Sequence, residues 1–68
     1  MPLDVNQIRV GTCYRSRSGE LRQVRAIVAE EVTYVVIFHA LHRTSVGPHE
    51  RMPLARFADE IERGEACP

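Results

Sequence analysis

The sequence predicts a small, mainly β domain with a helix near its C-terminus, and three observations carry that expectation. The run Val32-Thr33-Tyr34-Val35-Val36-Ile37-Phe38 is β-branched or aromatic at every position, which favours a strand with apolar side chains on both faces. Upstream, within 21–28, Val24, Ala26 and Val28 form an apolar row while Gln23 and Arg25 face the other way, the period-2 pattern of a second strand. Downstream, Leu54, Phe57, Ala58 and Ile61 fall at i, i+3, i+4 and i+7, one apolar stripe of a helix.

The elements follow in order. Residues 1–7, with Pro2, Asp4 and Asn6, read as a polar arm. Ile8-Arg9-Val10-Gly11 leads into a first strand over about 12–16, and Ser16-Arg17-Ser18-Gly19 has the composition of a tight turn, with Gly19 free to take positive φ. The return strand spans about 21–28. Ala29-Glu30-Glu31 turns the chain into a third strand over about 32–39, so the three should form an antiparallel meander.

Beyond it, His39 to Arg43 can prolong the strand, whereas Thr44 to Pro48 is loop chemistry; Glu50-Arg51-Met52 suits a short closing strand. Pro53 fits the first turn of a helix over about 54–62, Arg56, Asp59, Glu60 and Arg63 face away from its stripe, and Gly64 fits a C-cap. The expected organisation is an arm over 1–7, one domain over 8–64 and a tail over 65–68.

Sixty-eight residues suit a single domain, and a chain this short buries only about 60% of its unfolded surface, so oligomerisation would help it. A composition 44% hydrophobic and 26% charged is that of a globular protein. No stretch approaches the roughly 20 apolar residues of a membrane span, and Met1-Pro2-Leu3-Asp4 lacks the features of a signal peptide. A cytoplasmic protein without membrane partners is expected. Two cysteines are too few for a disulfide framework: Cys13 reads as a small buried strand residue and Cys67 as a mobile thiol, both reduced.

Formal charge is zero, yet all nine basic residues are Arg, which compositional bias of a GC-rich genome explains more readily than function does, although Arg is the better fork for phosphate or carboxylate. Between Arg9 and Arg25 five Arg face one acid, Glu20, for a charge of +4, while Leu54 to Pro68 holds Arg56 and Arg63 against Asp59, Glu60, Glu62 and Glu65, for −2. The uneven distribution predicts a basic end and an acidic end.

The order Val10-Gly11-x-x-Tyr14-Arg15, Gly19, Val24, Val32-Thr33-Tyr34-Val35 and Met52-Pro53-Leu54-x-x-Phe57 resembles small bacterial and phage SH3-like barrel proteins of unknown function. In these a Gly-x-x-Tyr strand opens the barrel and a Pro-Leu-x-x-Phe element closes it. The resemblance spans about residues 8–61 and implies a half-open barrel of about five strands. It implies a fold more than an activity. The long segment from His39 to Glu50 and the long final helix depart from the simplest version of that pattern.

Chemistry-bearing residues are few. In an extended strand His39 and His42 point to opposite faces, so with His49 and Cys13 they make no recognisable metal site, and no base is fixed beside a nucleophile. No catalytic residue, metal or cofactor is expected. Arg15, Arg17, Arg22 and Arg25, beside Tyr14, Ser16 and Ser18, offer phosphate forks and a stackable ring for weak nucleic-acid binding. The plainer reading is a solvated hairpin whose arginines pair with nearby acids. Tyr34, Val36 and Phe38, with Leu41 and Val46 downstream, form an apolar face suited to a protein partner or a second copy. Its plainer reading has the helix covering that row from within. The leading expectation is a non-enzymatic module that binds protein through this face, with the arginine hairpin as the rival.

Overall fold

The computed structural model describes residues 4–68. Six antiparallel strands form one sheet, β1 (Cys13–Ser16), β2 (Leu21–Val28), β3 (Glu31–Ala40), β4 (Arg43–Val46), β5 (Glu50–Pro53) and β6 (Ile61–Glu65), with a helix α1 (Leu54–Glu60) between the last two. The order is β4-β3-β2-β1-β6, and β5 also pairs with β3. The ten-residue β3 therefore takes two partners on one side: Glu31 to Tyr34 pair with β5 and Ile37 to Ala40 with β4. Gly47-Pro48-His49 bridges the two, at the place where a proline can donate no ladder bond. Neither β4 nor β5 pairs with β6, so the sheet is open and unclosed.

The meander is as the patterns predict. Gly19 takes φ +96 and its N–H donates to the Ser16 carbonyl at 2.9 Å, closing the first turn. The second turn is less ordinary: Ala29 and Glu30 both have positive φ, 50° and 63°, in a two-residue hairpin where Asn-Gly is the favoured pair. Asp4 opens a 3-10 turn over Val5–Gln7 with a capping box, so this part of the expected polar arm is ordered; residues 1–3 lie outside the described part of the chain.

Two elements correct the sequence expectation. Thr44-Ser45-Val46 is strand rather than loop, because the free side of β3 gives its polar residues a ladder (Phe38↔Ser45, His39↔Thr44). The helix stops at Glu60 rather than near 62, and Gly64 lies inside β6 opposite Tyr14 instead of capping the helix. Ile61 leaves the helix with φ −87 and ψ 134, yet stays fully buried. Its side chain thus serves the apolar stripe while its backbone joins the exposed side of β1.

The main core lies on one face of the sheet. Tyr14, Val24, Val32, Tyr34, Val36 and Ile8 meet Phe57, Ala58 and Ile61 there. Phe57 is fully buried, edge-on to Tyr14 with ring centroids 6.1 Å apart and tilted against Tyr34 at 5.3 Å. The Tyr14 hydroxyl donates to the Gln7 carbonyl at 2.9 Å and accepts from the Arg9 N–H at 2.8 Å, tying the N-terminal turn to the core. The opposite face carries a smaller cluster of Cys13, Leu21 and Ile37.

Cys13 and Cys67 are joined by a disulfide, their Cα atoms 5.3 Å apart, so the expectation of two separate reduced thiols is overturned. Pairing of β6 with β1 brings the two residues together: Cys13 lies opposite Glu65, two residues before Cys67.

Candidate interaction site

The arginine hairpin and the apolar face are built from adjacent strands, and the fold treats them differently. Ser16 and Ser18 share a hydrogen bond of 2.8 Å in the turn, and the Glu20 N–H donates to Ser16 Oγ at 3.1 Å. The basic β1–β2 hairpin and the acidic C-terminal segment lie side by side rather than at opposite ends, because β6 is antiparallel to β1.

Three of the four hairpin arginines are engaged by acids. Arg15 holds Glu65 with two bonds, Nε at 3.0 Å and Nη2 at 2.8 Å, and donates Nη1 to the Gly19 carbonyl at 2.9 Å. Arg17 reaches Asp59 at 3.4 Å in an exposed pair. Arg22 is 6% exposed, on the core face of β2. Its Nε and Nη2 donate to Glu20 Oε1 at 3.0 and 2.9 Å, its Nη1 to Glu60 Oε1 at 3.0 Å, and its guanidinium stands 5.1 Å from the Tyr34 ring centroid and 5.7 Å from that of Phe57. Arg25, at the register break between Val24 and Ala26, is exposed and has no ion-pair partner among the described residues.

These contacts set the local electrostatics. Burial acts to lower the Arg22 pKa, but the hydrogen bonds to Glu20 and Glu60 outweigh it and leave it raised. The Arg22 hydrogen bond holds the Glu60 carboxyl below the usual carboxylate range, with Arg56 adding to it, and Arg15 does the same for Glu65. Burial pushes the Tyr34 hydroxyl up, against the pull of Arg22.

Of the three residues of the apolar face, Tyr34 and Val36 belong to the core and Phe38 is 59% exposed. Phe38 shares its hairpin with two more exposed apolar side chains, Leu41, 92% exposed, and Val46, 52% exposed. Ile37 pairs with Val46 and Phe38 with Ser45, so Val46 and Phe38 project from opposite faces of a thin two-stranded tip. That tip outreaches β2, whose ladder with β3 ends at Leu21↔Ile37. The space beside it, bordered by Arg15, Gly19, Leu21, Phe38 and His39, is an open cleft of about 470 Å³.

His39 Nδ1 lies 2.6 Å from Thr44 Oγ1 across the hairpin. Among the described residues no group of three or more His, Cys, Asp and Glu side chains is gathered as a metal site would require. Among the described residues no helix is long and apolar enough to cross a membrane. Comparison with protein-family models, with curated proteins and with solved structures finds no match to this chain.

Proposed function

We propose that the chain is a small, non-enzymatic interaction module of the SH3-like kind that its Gly11-x-x-Tyr14 and Pro53-Leu54-x-x-Phe57 motifs resemble. In this reading it binds protein through the β3–β4 hairpin, and its partner is a second copy of itself. The observation that carries it is the exposure of Phe38 on a hairpin that also exposes Leu41 and Val46. β4 is the outermost strand on its side of the sheet, so its open side can meet the same strand of a second copy antiparallel about a two-fold axis. Phe38 then serves as the aromatic anchor of each half.

With Phe38 59% exposed, covering about 120 Å² of it stabilises by about 3 kcal/mol per copy. Doubled by symmetry, that supports association at micromolar to millimolar concentrations once the cost of bringing two molecules together is set against the strand hydrogen bonds. Nucleic-acid binding ranks below this reading because Arg15, Arg17 and Arg22 already have carboxylate partners. Light scattering at tens of micromolar tests the proposal. A dimer that resists added salt and dissociates on Phe38→Glu, with the fold intact by circular dichroism, is the expected result. A strict monomer, or a dimer indifferent to Phe38→Glu, refutes it.

A further inference from the structure

The two sulfurs of the Cys13–Cys67 disulfide have different surroundings. Cys13 is wholly buried on β1, clustered with Leu21 and Ile37 on the face of the sheet away from α1, whereas Cys67 is exposed. Up to Glu65 the C-terminal chain is held by the ladder with β1 and by the two bonds from Arg15. Residues 66–68 lie beyond that ladder and outside any helix or strand. Even so, Ala66 and Pro68 border a pocket of about 270 Å³ together with Leu21 and Ile37. The disulfide is thus the covalent anchor that keeps the tail over the second apolar cluster.

We propose that this disulfide is a thiol-exchange site, attacked at Cys67 by a small thiol or dithiol reductant. Exchange releases residues 66–68 and uncovers Leu21 and Ile37 while the rest of the fold persists. The reductant's thiolate bonds to Cys67 Sγ, the Cys13–Cys67 bond breaks, and its electron pair leaves on Cys13 Sγ, which takes a proton from solvent. A second reductant thiol then attacks the reductant sulfur of the mixed disulfide and displaces the Cys67 thiolate. Two electrons pass to the protein, and the reductant leaves as its own disulfide. Access decides which protein sulfur is attacked: Cys67 is open to solvent and Cys13 is enclosed. The fold outlasts release because Ile61, Phe57 and the Arg15–Glu65 pair all lie outside the freed segment.

Reduced glutathione added to the oxidised, full-length chain, followed by acid trapping and peptide mass mapping, tests the site. The expected mixed disulfide is on Cys67, in at least about tenfold excess over Cys13. Methyl NMR tests the consequence. Signals of Leu21 and Ile37 should move on reduction, and move likewise in Cys67→Ser without reductant, while the ring signals of Tyr34 and Phe57 keep their folded dispersion. A mixed disulfide on Cys13 overturns the proposal, as does reduction only with global loss of core signals. Leu21 and Ile37 signals that are unchanged between the oxidised, reduced and Cys67→Ser proteins overturn it equally.

Discussion

Replacing Arg22 by Met separates a structural arginine from a ligand-binding one. The substitution keeps the aliphatic stem against Tyr34 and Phe57 but removes the guanidinium, and with it three hydrogen bonds of 2.9–3.0 Å to Glu20 and Glu60 and the placement over two rings. The acceptors are not fully buried: the Glu20 side chain is 44% and the Glu60 side chain 30% exposed. Their carboxylates can rehydrate, so the full penalty for an orphaned buried charge, about 3–5 kcal/mol, does not apply. Each of the two ion pairs is then worth about 0.5–1 kcal/mol and the cation–π contact about 1–2 kcal/mol, so Arg22→Met should cost about 2–4 kcal/mol.

Urea denaturation measures this loss, with Arg15→Met as the comparison. Arg15 and Glu65 are both partly exposed, and solvent screens such a surface pair, so its loss should cost less than that of Arg22. The acid limb adds a second readout. Arg22 lowers the Glu60 pKa, so its contribution is fully present above the ordinary carboxylate value of 4.5 and is lost as pH falls through the lower folded value. Arg22→Met should therefore flatten the fall of stability below that pH. An Arg22→Met protein within about 0.5 kcal/mol of the parent, or an Arg15→Met protein less stable than Arg22→Met, refutes a structural role for Arg22.

Phe57→Ala should cost about 3–5 kcal/mol in the same denaturant melts, a large part of the roughly 3–10 kcal/mol available to 68 residues; a loss below about 1 kcal/mol would contradict its place at the centre of the core. Ala29→Asn combined with Glu30→Gly should raise stability by about 1–2 kcal/mol, since both positions carry positive φ in a two-residue hairpin; an unchanged or lowered midpoint would show that the turn is not of this type. Binding to single-stranded DNA or RNA should be no tighter than about 10⁻⁴ to 10⁻⁶ M at physiological salt. Submicromolar binding lost on Arg17→Ala with Arg25→Ala, both exposed positions, would promote the arginine hairpin over the β3–β4 hairpin.

The sequence alone determined the meander and the apolar stripe of the helix, because each is written in a local pattern: the apolar row Val24, Ala26 and Val28, the β-branched and aromatic run from Val32 to Phe38, and the i, i+3, i+4, i+7 spacing from Leu54 to Ile61. The same spacing could not tell that Ile61 leaves the helix, since the competing claim is the exposed side of β1, where Ser16 pairs with Ile61. β4 was hidden for a similar reason. Arg43-Thr44-Ser45-Val46 has little apolar alternation and becomes a strand only where β3 lends it a ladder. Tertiary structure alone decided the fate of the polar and sulfur-bearing residues. Arg22 and Glu60 are 38 residues apart, Arg15 and Glu65 are 50 apart, and Cys13 and Cys67 are 54 apart. All three pairings depend on the C-terminal segment folding back beside the β1–β2 hairpin. A local pattern can state that a side chain is charged or carries a thiol, but its partner depends on which distant strand lies alongside.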